Sequence, residues 1–257
     1  MEKLVIIPTY NEKDNIDAII GAVMGLQQGF HILIIDDGSP DGTAAIVKSL
    51  MLQYPGQLFL EERQGKLGLG TAYIHGFRWA LERGYEYICE MDADFSHNPA
   101  DLIRLCDACK SGAGVAVGSR YVKNGKVENW PTDRILLSKG ASLYTRIITW
   151  MPVQDPTAGF VCYRREVLET INLDGIEFTG YAFQIEMKFA AWKLGFKITE
   201  VPITFKDRKL GESKMNKGIV KEGIIGVLRL RWHSLFKNYR SKVRNTDVTF
   251  EQEKAIS

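Results

Sequence analysis

Ile32-Leu33-Ile34-Ile35-Asp36-Asp37-Gly38-Ser39-Pro40-Asp41-Gly42-Thr43 joins a short β-branched apolar run to a cluster of carboxylates and turn formers. Four consecutive apolar residues are too few for a helix and fit a strand buried on both faces. The Asp, Gly, Ser and Pro that follow read as a turn. A helical pattern then runs over Gly42–Leu52. Outward from this stretch the same alternation recurs. Leu4–Ile7, Leu58–Leu60, Tyr87–Met91 and Val115–Val117 read as strands, and Asp14–Met24, Gly70–Arg83 and Pro99–Lys110 as helices. Asn98 stands as an N-cap with Pro99 at the first helical position. Alternation of this kind predicts an α/β fold with a mostly parallel central sheet, helices on both faces and ligands at the carboxyl ends of the strands.

With 257 residues, 45% hydrophobic and 25% charged, the chain has the composition of an ordinary globular protein. The net charge of +2 is unevenly spread: residues 206–244 hold 12 Lys and Arg against three Asp and Glu, so this segment carries +9 and the rest −7. Such a surface faces something anionic. Cys106 and Cys109 form a C-x-x-C, but no second pair exists for zinc, and core packing is the expectation. So few cysteines in a chain this large suit a reducing cytoplasm. Ala18–Ile35 is free of formal charge for 18 residues, yet Gln27, Gln28, Gly29 and His31 interrupt it, and it reads as helix end, turn and strand rather than a membrane span.

The chemistry-bearing residues stand where the strands end. Pro8-Thr9-Tyr10-Asn11-Glu12 follows the first strand, Asp36-Asp37 the second, and Asp92-Ala93-Asp94 the fourth. No G-x-G-x-x-G or Walker A glycine cradle is present. Residues i and i+2 at a strand end project to one side, so Asp92 and Asp94 can reach one hard divalent cation together with substrate phosphates. The adjacent carboxylates of Asp36 and Asp37 repel, which a cation or a donor-rich ligand such as a nucleoside would offset.

Eight blocks in order, PTYNE (8–12), DDGSPDGT (36–43), GLGTAY (68–73), MDADFSH (91–97), GSRY (118–121), DPTAGF (155–160), GYAFQIEM (180–187) and EVPITFKDRKLGESK (200–214), make the chain similar to the dolichyl-phosphate mannosyltransferases. These are inverting glycosyltransferases of the GT-A fold. The resemblance implies that Pro8, Tyr10, Glu12 and Asp37, with Ile35 and Asp36 beside them, hold the nucleoside of GDP-mannose. It implies that Asp92, Ala93 and Asp94 grip the diphosphate and a Mg2+ or Mn2+ ion, with Ser96 where some relatives have Gln as a further metal ligand. Arg120, Arg134 and Ser138 match positions that receive the phosphate of a polyprenyl phosphate acceptor, and Arg208 and Lys214 match basic residues that close over the donor. Asp94, Arg120, Arg134 and Ser138 are thereby the candidates for the catalytic step. The Q-x-x-R-W block of processive relatives is missing, because Leu228 stands at the Gln position before Arg231-Trp232. His97 reads as support for the D-x-D rather than a base, and Gln184 and Glu186 as candidates for the acceptor side.

Residues 1–215 are expected to form the catalytic domain, 216–244 a basic amphipathic segment at a membrane interface, and 245–257 a disordered tail. In the helix expected over Gly218–Phe236, Val220, Ile224, Val227, Leu228 and Leu235 share a stripe and basic residues surround it. The expectation is a peripheral protein on the cytoplasmic face of a membrane, without nucleic acid as a partner. A UDP-glucose enzyme, a sugar nucleotidyltransferase and a partner-binding subunit that has kept the fold remain rival readings.

Overall fold

The computed structural model describes residues 2–180, 182–207 and 217–241, with backbone alone for 217–222. Four parallel strands, β1 (Lys3–Thr9), β2 (Phe30–Asp36), β3 (Leu58–Glu62) and β4 (Tyr87–Glu90), alternate with α1 (Ile16–Met24), α2 (Thr43–Met51), α3 (Leu69–Glu82) and α4 (Asp101–Lys110). The sheet continues with β5 (Val115–Ser119), β7 (Val161–Arg164) and β8 (Ile198–Pro202), in the order β3-β2-β1-β4-β7-β5-β8. The mostly parallel α/β sheet expected from the sequence is therefore present. Strand β7 is the exception, running antiparallel to both β4 and β5.

The apolar runs are continuous because each strand is covered on both sides. Leu4 and Ile6 of β1 pack with Leu33 and Ile35 under α3 and α7 (Ala182–Lys193), whereas Val5 and Ile7 pack with Ile32 and Ile34 under α1, α2 and α4. All eight are fully buried, each contributing roughly 1.5–3 kcal/mol of transfer free energy. Helix α3 approaches the sheet closely at Gly76, where a Cβ would lie 2.8 Å from Ile6 Cγ2.

All four cysteines are free and buried between α4 and the sheet, with Sγ–Sγ distances of 3.7 Å (Cys89–Cys106) and 3.9 Å (Cys106–Cys162). Helix α4 runs from Asp101, and the turn before it shows the capping bond expected of Asn98, whose side chain accepts the Ala100 N–H (3.1 Å).

Two elements complete the picture. A small parallel sheet pairs β6 (Lys126–Glu128) with β9 (Thr204–Lys206). Helices α5 (Thr132–Thr149) and α8 (Lys217–His233) lie side by side, joined by Tyr144 Oη donating to the Ile224 carbonyl (3.0 Å). The stripe expected on α8 divides. Val227 turns into the core together with Leu230, while Ile224 and Leu228 face outward and Leu235 beyond the helix is exposed. Glu186 is fully buried and clamps the segment after α8 through Lys237 (2.7 Å), so it is structural and not part of an acceptor site. The expected boundary at 215/216 and the tail 245–257 lie outside the described residues.

Candidate active site

The sheet order 3-2-1-4 reverses direction beside β1, and in open α/β sheets such a reversal leaves a crevice at the strands' carboxyl ends. The loops after β1, β2 and β4 meet there. The first two are stitched together: Asn11 N–H donates to Ser39 Oγ (3.0 Å), Glu12 N–H to Thr43 Oγ1 (3.1 Å) and Lys13 N–H to Asp41 Oδ2 (3.0 Å). Asp36 is taken up by the protein itself, accepting from Thr9 Oγ1 (2.8 Å), Ser39 N (2.8 Å) and Ser39 Oγ (2.6 Å). Asp37 accepts from Arg63 Nε (2.7 Å), and Arg63 Nη1 donates onward to Thr71 Oγ1 (2.9 Å). The repulsion expected between Asp36 and Asp37 is thus offset by protein donors. Arg63, which the sequence reading missed, supplies the cation. Lys66, in the same loop, lies 5.0 Å from the Tyr10 ring centroid. Pro8, Tyr10 and Glu12 are half-buried at this rim. Ile35 is fully buried and its side chain packs in the core against α3, so any ligand contact it makes is through its backbone.

The D-x-D loop contains a left-handed backbone turn. Phe95 follows Asp94 at φ 59°, a conformation that costs a bulky side chain about 1–3 kcal/mol and gathers at functional sites. The bend lets Ser96 donate to Asp94 Oδ1 from both its N–H (3.0 Å) and its hydroxyl (2.6 Å). Ser96 therefore orients the Asp94 carboxylate. Asp92 is partly exposed, Ala93 is buried, and the fully desolvated His97 ring lies with Nδ1 4.0 Å from Asp92 Oδ2 and stacks on Phe160 at 4.7 Å. Burial pulls the His97 pKa down to about 4, which makes it a neutral support. Beneath the loop, Gln184 Nε2 donates to Glu90 (2.8 Å) and Lys188 donates to the Ala158 carbonyl (2.6 Å). Gln184 thus belongs under the D-x-D and not on the acceptor side. Burial raises the Glu90 carboxyl to about 8 and lowers the Lys188 ammonium.

Arg120, Arg134 and Ser138 converge on the other side of this loop. Arg120 makes a bidentate pair with the buried Asp155, through Nε (2.7 Å) and Nη2 (2.6 Å), and its backbone N–H adds a third bond (3.0 Å). Ser138 accepts from Tyr121 Oη (2.7 Å), and the Arg120 guanidinium lies 5.1 Å from the Tyr121 ring. Arg134 stacks on Trp130 at 3.9 Å and pairs with Asp207 (3.1 Å). Lys206 N–H donates to the Ser96 carbonyl (3.1 Å), tying β9 to the D-x-D loop. The carboxylates of the D-x-D loop and the guanidiniums of Arg120 and Arg134 are therefore neighbours. Arg208 and Lys214 lie outside the described residues.

Residues 4–171 match glycosyl transferase family 2. The chain belongs to this family. A similar GT-A architecture is seen in glucosyl-3-phosphoglycerate synthase from Mycobacterium tuberculosis, solved with Mn2+, UDP and glucosyl-3-phosphoglycerate. That structure superposes with a TM-score of 0.64 at 17% identity, over 90% of this chain and 79% of that one. Among curated members, polyprenol monophosphomannose synthase from Mycolicibacterium smegmatis is 49% identical over 87% of this chain and 84% of its own length. Undecaprenyl-phosphate mannosyltransferase from Micrococcus luteus is 46% identical over 91% and 98%. As a family 2 member the protein is a glycosyltransferase.

Proposed function

We propose that the protein transfers mannose from GDP-mannose to a polyprenyl phosphate, with inversion at the anomeric carbon and with Mg2+ or Mn2+ as cofactor. The observation that carries this reading is the composition of α5. That single helix bears Arg134 and Ser138 beside the site and exposes Leu136, Leu137, Leu143 and Ile147 to the outside. A phosphate group on a long apolar chain has both of its parts met by such a helix. The activities of the two mannosyltransferase relatives point the same way.

The acceptor chemistry needs little from the protein by way of proton transfer. A phosphate monoester has a second pKa near 6 and is mostly dianionic at neutral pH. Its oxygen attacks the anomeric carbon, the bond to the diphosphate oxygen breaks, and GDP departs with the electron pair. Neutral His97, a weak base, is not required. Asp92 and Asp94 offer hard oxygen donors at one strand end and suit Mg2+ or Mn2+. When bound there, the ion would supply positive charge against the diphosphate leaving group. Ser96, implied by the resemblance to be a ligand, acts by fixing Asp94. Arg120, Arg134 and Ser138 gather the acceptor oxygens, and Pro8, Tyr10, Glu12 and Asp37 hold the nucleoside.

Among the described residues no helix is long and apolar enough to cross a membrane. Helix α8 and the turn after it add Trp232 and Phe236 to the exposed apolar face of α5, and Arg231 lies 4.8 Å from the Trp150 ring beside them. A basic, apolar face of this kind suits peripheral attachment to an anionic bilayer. Four unbridged cysteines suit the cytoplasmic side. The test is transfer of labelled sugar from GDP-mannose and UDP-glucose to polyprenyl phosphate, with and without EDTA. Transfer from GDP-mannose that stops on chelation is expected. Transfer from UDP-glucose alone would replace the donor, and undiminished transfer under complete chelation would remove the metal.

A further inference from the structure

Trp130 stands just before α5 and has no role so far. Its ring is contacted by three of the groups that flank the acceptor site. The Arg134 guanidinium stacks on it at 3.9 Å, Arg120 lies 5.7 Å from its centroid, and Phe205 packs against it edge-on at 5.2 Å. The aromatic face thus holds two like-charged guanidiniums near one another, each cation–π contact offsetting part of their repulsion.

Two donors in this group have no acceptor among the described residues. Trp130 Nε1 and Arg134 Nε are both buried and both unpartnered. An indole N–H can only donate, and so can a guanidinium. Buried donors are nearly always satisfied, and an unsatisfied one asks for a missing oxygen. The two sit on stacked groups, so one oxygen-rich anion can satisfy both. Arg134 Nη1 is already paired with Asp207 (3.1 Å), which fixes the guanidinium with its Nε edge still to be met.

We propose that Trp130 is an acceptor-binding residue, whose indole N–H donates to an oxygen of the acceptor's phosphate monoester alongside Arg134 Nε while its ring braces Arg134. This rests on the acceptor being a lipid phosphate, as argued above, and it adds a neutral donor to a site otherwise read as two arginines and a serine. A hydrogen bond to a charged oxygen is worth about tenfold or more in affinity.

The experiment compares the full-length wild type with Trp130→Phe and Trp130→Leu, using GDP-mannose turnover with undecaprenyl phosphate in mixed micelles and calorimetric binding of citronellyl phosphate. Thermal melts check folding. Phe keeps the ring face and removes the N–H, so its acceptor KM and citronellyl phosphate Kd should rise about tenfold with donor KM within twofold. Leu removes the brace as well and should lose more. A Phe variant indistinguishable from wild type in both acceptor readouts overturns the proposal, even if Leu is impaired, because the ring alone then accounts for the effect. If wild type transfers nothing to lipid yet binds citronellyl phosphate in a Trp130-dependent way, the proposed reaction fails and the phosphate site stands. A wild type that binds no monophosphate overturns both.

Discussion

Asp155→Asn is the substitution whose consequences the structure specifies most fully. Asp155 is fully buried, and its two oxygens accept three bonds from Arg120 at 2.6–3.0 Å and one from Thr157 Oγ1 at 3.2 Å. Asparagine keeps the shape but replaces one oxygen by an NH2 that faces Arg120's donors, and it removes a charge that balances a guanidinium whose side chain is 9% exposed in this pair. Breaking a buried pair from one side costs about 3–5 kcal/mol. For a chain of this size that corresponds to a fall in melting temperature of roughly 10 °C. Because Arg120 is the better-buried of the two acceptor-side arginines, its displacement should also raise the acceptor KM at least tenfold, with donor KM nearly unchanged. The pH dependence follows with its sign. Burial alone would raise the Asp155 pKa, but the charge and hydrogen bonds of Arg120 outweigh it and hold the carboxyl below the usual range. The stabilisation is present above a pH of about 4, the unfolded value, and is lost only as pH falls through the lower folded value; the Asn variant should lack that acid step. Melting curves from pH 7 to pH 3 and steady-state kinetics measure all of this. A variant melting within 2 °C of wild type, at an unchanged acceptor KM, would show that the pair neither stabilises the loop nor positions Arg120.

Three further outcomes are expected. His97 is neutral when folded and titrates near 6.5 when unfolded, so the stability it confers is complete above pH 6.5 and is lost between 6.5 and about 4. The loss amounts to roughly 3 kcal/mol, and His97→Phe should flatten the melting profile over that window. Gly76→Ala puts a Cβ 2.8 Å from Ile6 Cγ2 and 3.0 Å from Ile35 Cδ1, which should destabilise by about 1–3 kcal/mol in urea titrations, although alanine is ordinarily the better helix former. Leu228→Ser combined with Trp232→Ser removes two large side chains that are 50% and 67% exposed. Sedimentation with anionic vesicles should fall at least tenfold while the melting temperature stays put, and equal sedimentation would assign the membrane contact to another face.

The first half of the fold was legible because parallel strands buried on both faces leave unbroken apolar runs between helical patterns, as at Leu4–Ile7 and Ile32–Ile35. In the second half helix α8 was legible and the later strands were not. Strands β6 and β9 have three residues each and β7 four, too short for a period to emerge, and the antiparallel entry of β7 breaks the βαβ rhythm. The division of the α8 stripe was hidden for a different reason: tertiary packing against α7 and α5, not the helix's own pattern, chooses which apolar residues turn inward. Arg63 had a readable signal. Once β3 is paired in parallel with β2, the register Asp36–Glu62 places the next residues, Asp37 and Arg63, side by side, and a lone cation beside a carboxylate pair marks its partner. The Ser96–Asp94 contact was not legible. The Ser96 hydroxyl reaches Asp94 because Phe95 takes a positive φ, which residue type alone does not announce.

Under the proposed reaction, the small sheet β6–β9 is what would keep donor and acceptor groups in register although they come from distant parts of the chain. Two anions must be brought together, and each is held by side chains of opposite sign that would drift apart on independent loops. Strand β6 runs into Trp130 and α5, which carry the acceptor side; strand β9 is pinned to the D-x-D loop by Lys206 N–H at the Ser96 carbonyl and ends at Asp207, the partner of Arg134. Ser96 in turn orients Asp94. Asp94, Ser96, β9 and Asp207 thus form one connected path from the D-x-D loop to the Trp130–Arg134 stack.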